Sequence, residues 1–422
     1  MNNTVASQPN HLPDHKKGGT KHYDNYPEGN FHPLLAYAFR PLFILLPAYI
    51  ALSIILWGLA WSGAISLPFM QNIMAWHIYE MMFGVASAGI IGFILTAVPE
   101  LYEGVTPVVG KTVLGITVLW LLGRVAFWMI DLVGVYTVAA IHLPLLLWIT
   151  ALVAKPVLGD PLRRNFSLAF MFLIIAVLQG WFFASMAGLV KTDFMSILKA
   201  SLGAFMVLEL LALRRIATEA INELLEQEGI DDTFLARPPA YNIAIFTVTL
   251  FTAIEFFYPQ NAMLGWLGFA AAAAILNTLN DYLLEDVNIL FKPFIYPLWL
   301  ILVLMAIGYG LMGFDYLNDT LYGINHFRHF LTTGVFGLSF LMVMIIVGTI
   351  HTGRELKANK WITISIALII LATLIRTLIP FFPAYTMWMY TSSAIIWAIP
   401  FIIYLIQFYP ILSKARADGL PG

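Results

Sequence analysis

His77 and Glu80 stand three residues apart, with Gly84 one further turn on, at the head of an apolar run over residues 74–98. Such a run is long enough to cross a bilayer, and an ionisable pair inside one is costly, which marks it as a candidate functional site. Helical periodicity returns Glu80, Met81, Gly84 and Ala88 to the face of His77, whereas Tyr79 points about 200° away. A later apolar run, 325–350, opens with His326 and His329 on one face and Arg328 diverging from it. Neutral imidazole is the commonest metal ligand and often holds a haem iron. Two histidines from different helices at one depth, over a face of small residues, suit a b-type haem lying edge-on in a bundle. A histidine with carboxylate, thioether and phenol nearby suits copper equally well, so His77, His329, Tyr79 and Met81 are the metal candidates. The plainer role of a membrane histidine is a hydrogen bond to a neighbouring carbonyl, and that is the stronger expectation for His326 and His142.

Two arginines are comparably expensive inside apolar runs. Arg124 has Glu80, Glu209 and Glu255 as conceivable partners, and Arg376 either snorkels outward or meets a cofactor carboxylate. Both join His77, His326, His329, Glu80 and Gly84 as candidates for holding a cofactor, with an ion pair as the plainer role. His351 is excluded from that group, because at 1.5 Å per residue it lies about 33 Å below His329. The stretch His351-Thr352-Gly353-Arg354 reads as a helix end, where glycine reverses the chain and the cation complements the dipole.

These residues need a frame, and composition says which kind. Hydrophobic residues make up 60 % of the 422 and charged residues 11 %, against about 25 % in a soluble domain. Apolar runs of span length occur at 41–61, 74–98, 111–131, 134–154, 165–189, 195–213, 241–258, 263–283, 294–313, 325–350, 361–380 and 385–409. The expected fold is all-α, a polytopic bundle of twelve transmembrane helices; no ten-residue alternation of barrel strands is visible. Lysines and arginines concentrate in the loops after even-numbered runs and at both ends, which predicts cytoplasmic termini. Residues 1–33 read as a disordered cytoplasmic tail, 34–413 as one membrane domain and 414–422 as a short cytoplasmic tail. Within the domain, 214–240 has the apolar stripe of an amphipathic extension of the sixth run. A six-plus-six repeat would place a second copy of the His77 stretch in the eighth run, which has no histidine. The absence of cysteine rules out disulfides, iron–sulfur clusters and covalently attached haem, and the net charge of −2 gives no case for nucleic acid.

The motifs taken together resemble one family. Phe39-Arg40-Pro41-Leu42-Phe43, Trp76-His77 with Glu80-Met81 and Phe83-Gly84, Gly92-Phe93, Leu95-Thr96-Ala97-Val98-Pro99, Gly123-Arg124 and Arg164-Asn165 look like the N-terminal half of NnrS proteins. His329, Gly334 and Gly337 followed by His351-Thr352-Gly353-Arg354 resemble that family's second signature, to which no role is assigned. The resemblance implies a bacterial inner-membrane protein of twelve spans carrying non-covalent haem b and copper, associated with the response to nitric oxide during denitrification or nitrosative stress. Three positions depart from the pattern. Tyr79 stands where the family usually has a histidine, Glu100 where it has an asparagine, and Leu213-Arg214-Arg215-Ile216-Ala217 where it has a Gly-Gly-Arg motif. The loss at Tyr79 weakens the implication of copper more than that of haem.

The leading expectation is a haem site formed by His77 and His329, with His326 as the alternative ligand and nitric oxide as the small-molecule partner. A secondary transporter is the rival of another class, although the paired Gly/Pro-broken helices it needs are not evident. An assembly partner of a respiratory or denitrification complex is the third. No residue pattern specifies a catalytic cycle.

Overall fold

The structure, a computed structural model, describes residues 25–67, 72–161, 165–227, 229–284 and 289–422. Twelve helices are long and apolar enough to cross a membrane: α1 (Phe39–Trp61), α2 (Ile73–Leu101), α3 (Lys111–Trp128), α4 (Val135–Gly159), α5 (Phe166–Met186), α6 (Phe194–Glu226), α7 (Pro238–Phe257), α8 (Met263–Tyr282), α9 (Tyr296–Leu317), α10 (Ile324–Ile350), α11 (Lys360–Thr377) and α12 (Pro383–Leu412). Each coincides with one of the twelve apolar runs, and no strand occurs among the described residues. Helices prevail because hydrocarbon offers no partner to a backbone amide, so each span must close its own hydrogen bonds.

Two helices form the centre. Burial reaches 78 % of the apolar stretch of α2 and 83 % of that of α10, against 33 % for α4, α7, α11 and α12. α12 lies along α1 and α11, and α8 against α9. The last pair is brought close by glycine: a Cβ at Gly268 would stand 2.7 Å from the backbone of Gly313 and Tyr309. Gly268→Ala is therefore expected to part α8 from α9 at a cost of about 1–3 kcal/mol, seen as a lower thermal midpoint in detergent. Gly310→Ala is the control, since its Cβ would meet only the Ala272 methyl at 3.6 Å.

Both central helices leave α geometry once. α2 winds as a π-helix over Glu80–Ala86 and α10 over Phe330–Val335. These wide turns, rare overall and frequent at functional sites, begin three residues after His77 and immediately after His329, the two candidate histidines.

α6 continues without a break through 214–226, into the segment read as amphipathic, and the chain reverses at Gly229 with φ of 68°. Of the stretch read as a disordered tail, residues 1–24 lie outside the described residues, as do His11, His15, His22 and Arg164. Tyr26 is packed, its hydroxyl donating to the Ala36 carbonyl at 2.8 Å. The last residues fold back onto the bundle. Buried Arg40 donates to the carbonyls of Leu412, Lys414 and Gly422 at 2.9, 2.6 and 2.7 Å.

Candidate functional site

A cavity of about 370 Å³ opens between α1, α2, α6, α10, α11 and α12. α2 contributes His77, Met81 and Val85; α10 contributes His326, Arg328 and His329; α6 and α11 add Lys199 and Arg376. Trp57, Trp61, Tyr390 and Trp397 form an aromatic wall. No carboxylate lines the space among the described residues, although four cationic or imidazole-bearing helices meet there.

The hydrogen bonds distinguish the three histidines. His329 Nδ1 lies 2.6 Å from the Asn325 carbonyl. A carbonyl only accepts, so Nδ1 carries the proton and Nε2 keeps its lone pair, the form that binds a metal. His326 is the reverse case. Its Nδ1 lies 2.9 Å from Nη1 of Arg376, and a guanidinium only donates, so in the neutral ring the proton is on Nε2. The sequence left His326 open as an alternative ligand; this bond disfavours it. Among the described residues the buried Nδ1 of His77 has no hydrogen-bond partner, and its ring stacks on Trp57 at 4.0 Å between centroids and 5° between planes. The indole plane of Trp57 thus fixes the orientation of the His77 ring.

Arg376 has no carboxylate partner among the described residues. It sits between His326 and the face of Tyr390, 4.6 Å from the ring centroid. Arg328, which helix geometry turns away from its neighbouring histidines, reaches the cavity edge but donates to Glu255 through Nη1 and Nη2, at 3.1 and 2.5 Å. Tyr316 also donates to Glu255, at 2.7 Å.

The expected cofactor face does not survive intact. His77, Met81, His326, His329 and Arg376 line the cavity, whereas Glu80, Gly84, Arg124 and Tyr79 do not. For Gly84 the cause is the π turn over Glu80–Ala86, whereas Tyr79 faces away as α periodicity predicts and Arg124 follows Glu80. A wider turn delays the return to a given face by one residue, so Val85 takes the place that α periodicity reserves for Gly84. Glu80 and Gly84 are carried into a buried polar cluster with α1, α3 and α4. There Arg124 donates to Glu80 at 2.7 Å, Tyr49 also donates to Glu80, and Trp128 donates to the Tyr49 oxygen at 2.8 Å. A Cβ at Gly84 would stand 2.1 Å from Nη1 of Arg124, so this glycine makes room for the guanidinium rather than for a flat ligand.

Tyr79 belongs to the same cluster. Its hydroxyl donates to His142 Nδ1 at 2.6 Å and accepts from Gln179 at 2.9 Å. His142 Nε2 lies 2.7 Å from the Gly123 carbonyl, the plain role expected for it. Of the four residues named for copper, His77, His329 and Met81 line the cavity and Tyr79 does not. Among the described residues there is no group of three or more His, Cys, Asp or Glu placed to hold a metal ion.

At the other end of α10, the second signature packs against the chain's last segment. Arg416 donates to the His351 carbonyl at 3.0 Å, and Ala417 donates its amide to Thr352 at 3.1 Å. Gly353 has φ of 72°, and a Cβ there would press on the Asp418 carboxylate. Arg354 Nη1 donates to the Thr352 carbonyl at 3.0 Å.

The family model described as NnrS protein matches residues 33–416. The chain belongs to the NnrS family. It is thus a multi-pass membrane protein of a family related to the nitric oxide response and associated with haem and metal. No curated protein matches it. The NnrS-like motifs divide between two tasks in this fold. His77 and His329 reach the cavity, while Gly84, Arg124 and Arg40 hold helices and chain end in place. Sequence reasoning missed Trp57 and Lys199, both one helix removed from any histidine. Their only signal was the cost of placing a lysine and stacked indoles in apolar runs.

Proposed function

We propose that this NnrS-family protein binds a b-type haem in the cavity between α2 and α10, held by Nε2 of His329 and by His77. The observation that carries this reading is the pairing of these two imidazoles in one cavity, His329 with its Nδ1 proton committed to Asn325 and His77 with no competing hydrogen bond. Lys199 and Arg376 complement the carboxylates of such a group, since no acid of the cavity lining neutralises them. The aromatic wall of Trp57, Trp61 and Trp397 excludes water and offers flat surface. When bound, haem supplies an iron centre able to take up nitric oxide or pass an electron. The residues present do not fit a second, copper-only site as well, because Tyr79 is engaged with His142 and Gln179.

The role supported is protection of a bacterial inner membrane against nitric oxide or nitrosative stress. The excess of Lys and Arg in the loops after even-numbered spans supports cytoplasmic termini. The test is optical. Protein purified from haem-replete cells should show a Soret band that shifts when nitric oxide is added. A preparation that is colourless and free of haem by pigment extraction would refute the reading.

A further inference from the structure

We propose that the crevice between α10, α11 and α12, at the His351 end of the bundle, is a binding site for one anionic phospholipid. It encloses about 200 Å³ and does not depend on the haem reading, since it shares no lining residue with the histidine cavity and even its deepest α10 residue, Leu341, stands roughly 18 Å along the helix from His329. Its composition changes with depth. The floor is mostly apolar, with Leu341, Ile345 and Ile403 beside Tyr404, whose hydroxyl is spent on the Met344 carbonyl, and it reaches about 14 Å below the end of α10. The rim carries Arg354 and Lys357, with the indole of Trp361 at the start of α11. An apolar slot under a cationic, indole-edged rim matches an acyl chain under a phosphate.

Charge decides the class of headgroup. Arg354 forms no ion pair among the described residues, and only Nη1 is used, on the Thr352 carbonyl. Lys357 meets Glu355 at 3.2 Å, but both side chains are largely exposed, so the pair is weak and exchangeable. Lys360, stacked over Trp361 at 5.1 Å, adds a third cation beside the rim. Three cations against one acid favour a headgroup with net negative charge over a zwitterionic one. A second feature marks the slot as built. Phe294 lines it with φ of 66°, a left-handed conformation that a bulky side chain rarely adopts and that persists only where surroundings hold it. Arg354 thereby acquires a role that the helix-end reading of His351-Thr352-Gly353-Arg354 did not give it.

The test uses full-length protein stripped of lipid in detergent and examined by native mass spectrometry with phosphatidylglycerol or phosphatidylcholine of identical chains. Retention of one phosphatidylglycerol in preference to phosphatidylcholine is expected. Arg354→Gln/Lys357→Gln should weaken that retention at least roughly tenfold and leave phosphatidylcholine unchanged. Equal retention of the two lipids, or full retention of phosphatidylglycerol by the double variant, overturns the proposal. If the double variant has a lower thermal midpoint without lipid, Lys357→Gln alone, changing a side chain 80 % exposed, must still lower phosphatidylglycerol retention, and its failure to do so is equally decisive.

Discussion

His329→Ala protein will lack the Soret band of the parent, whereas His326→Ala protein will keep it. Both residues lie on the same turn of α10 and line the same cavity, so a general disturbance of the site would affect them alike. The prediction separates them by tautomer. His329 presents a bare Nε2 because Nδ1 donates to Asn325; His326 has its Nδ1 occupied by Arg376. Removal of His326 frees Arg376 to move, an effect transmitted through a neighbour, and such outer partners typically cost about 10–100-fold in affinity. At the haem concentrations of replete expression, that loss leaves the band visible. His77→Ala should match His329→Ala, and exogenous imidazole should restore part of the band to either. Pyridine haemochrome analysis per mole of folded protein is the measurement. Parental haem content in the His77 and His329 variants would remove both histidines from the site, and loss of haem from all three would overturn the distinction by tautomer.

Arg124→Leu is expected to be the most damaging single change in the bundle, at about 3–5 kcal/mol. Arg124 and Glu80 are nearly inaccessible, at 5 % and 0 % exposure, and one Glu80 oxygen has no partner among the described residues even in the intact protein. Without the guanidinium, Glu80 keeps only the Tyr49 hydroxyl. Removing one member of a buried pair leaves the other uncompensated, while removing both is often close to neutral. Glu80→Gln/Arg124→Leu should therefore recover much of the loss, measured as thermal midpoint in detergent. Haem per folded molecule should stay at the parental level in both, because neither side chain reaches the cavity. Loss of haem from a well-folded double variant would return Glu80 and Arg124 to the cofactor site.

The twelve spans were legible because each is a local property, about twenty apolar residues that must satisfy their own backbone. So was the pairing of His77 with the start of α10, which needs only helix rise and span order. What failed was periodicity carried through Glu80–Ala86. A helical wheel at 3.6 residues per turn puts Gly84 beneath His77, and nothing in Glu80-Met81-Met82-Phe83-Gly84-Val85-Ala86 announces a wider turn. Partners across helices were illegible for another reason. Arg328 finds Glu255 and Tyr79 finds His142 through tertiary packing, which no spacing within one helix encodes. The choice between His326 and His329 likewise depends on Arg376, fifty residues along the chain.

The wide turn in α2 also places a demand on chain length. One surplus residue lets a single helix point His77, Met81 and Val85 at the cavity while Glu80 and Gly84 face the ion cluster. Deleting any one residue between Glu80 and Ala86 would let the segment relax to ordinary α geometry, turning everything on one side by about 100° relative to the other. Either the cavity or the cluster would then receive the wrong side chains. Within this segment the number of residues thus constrains the structure more than the identity of most of them, and gaps rather than substitutions are the changes its geometry can least accommodate.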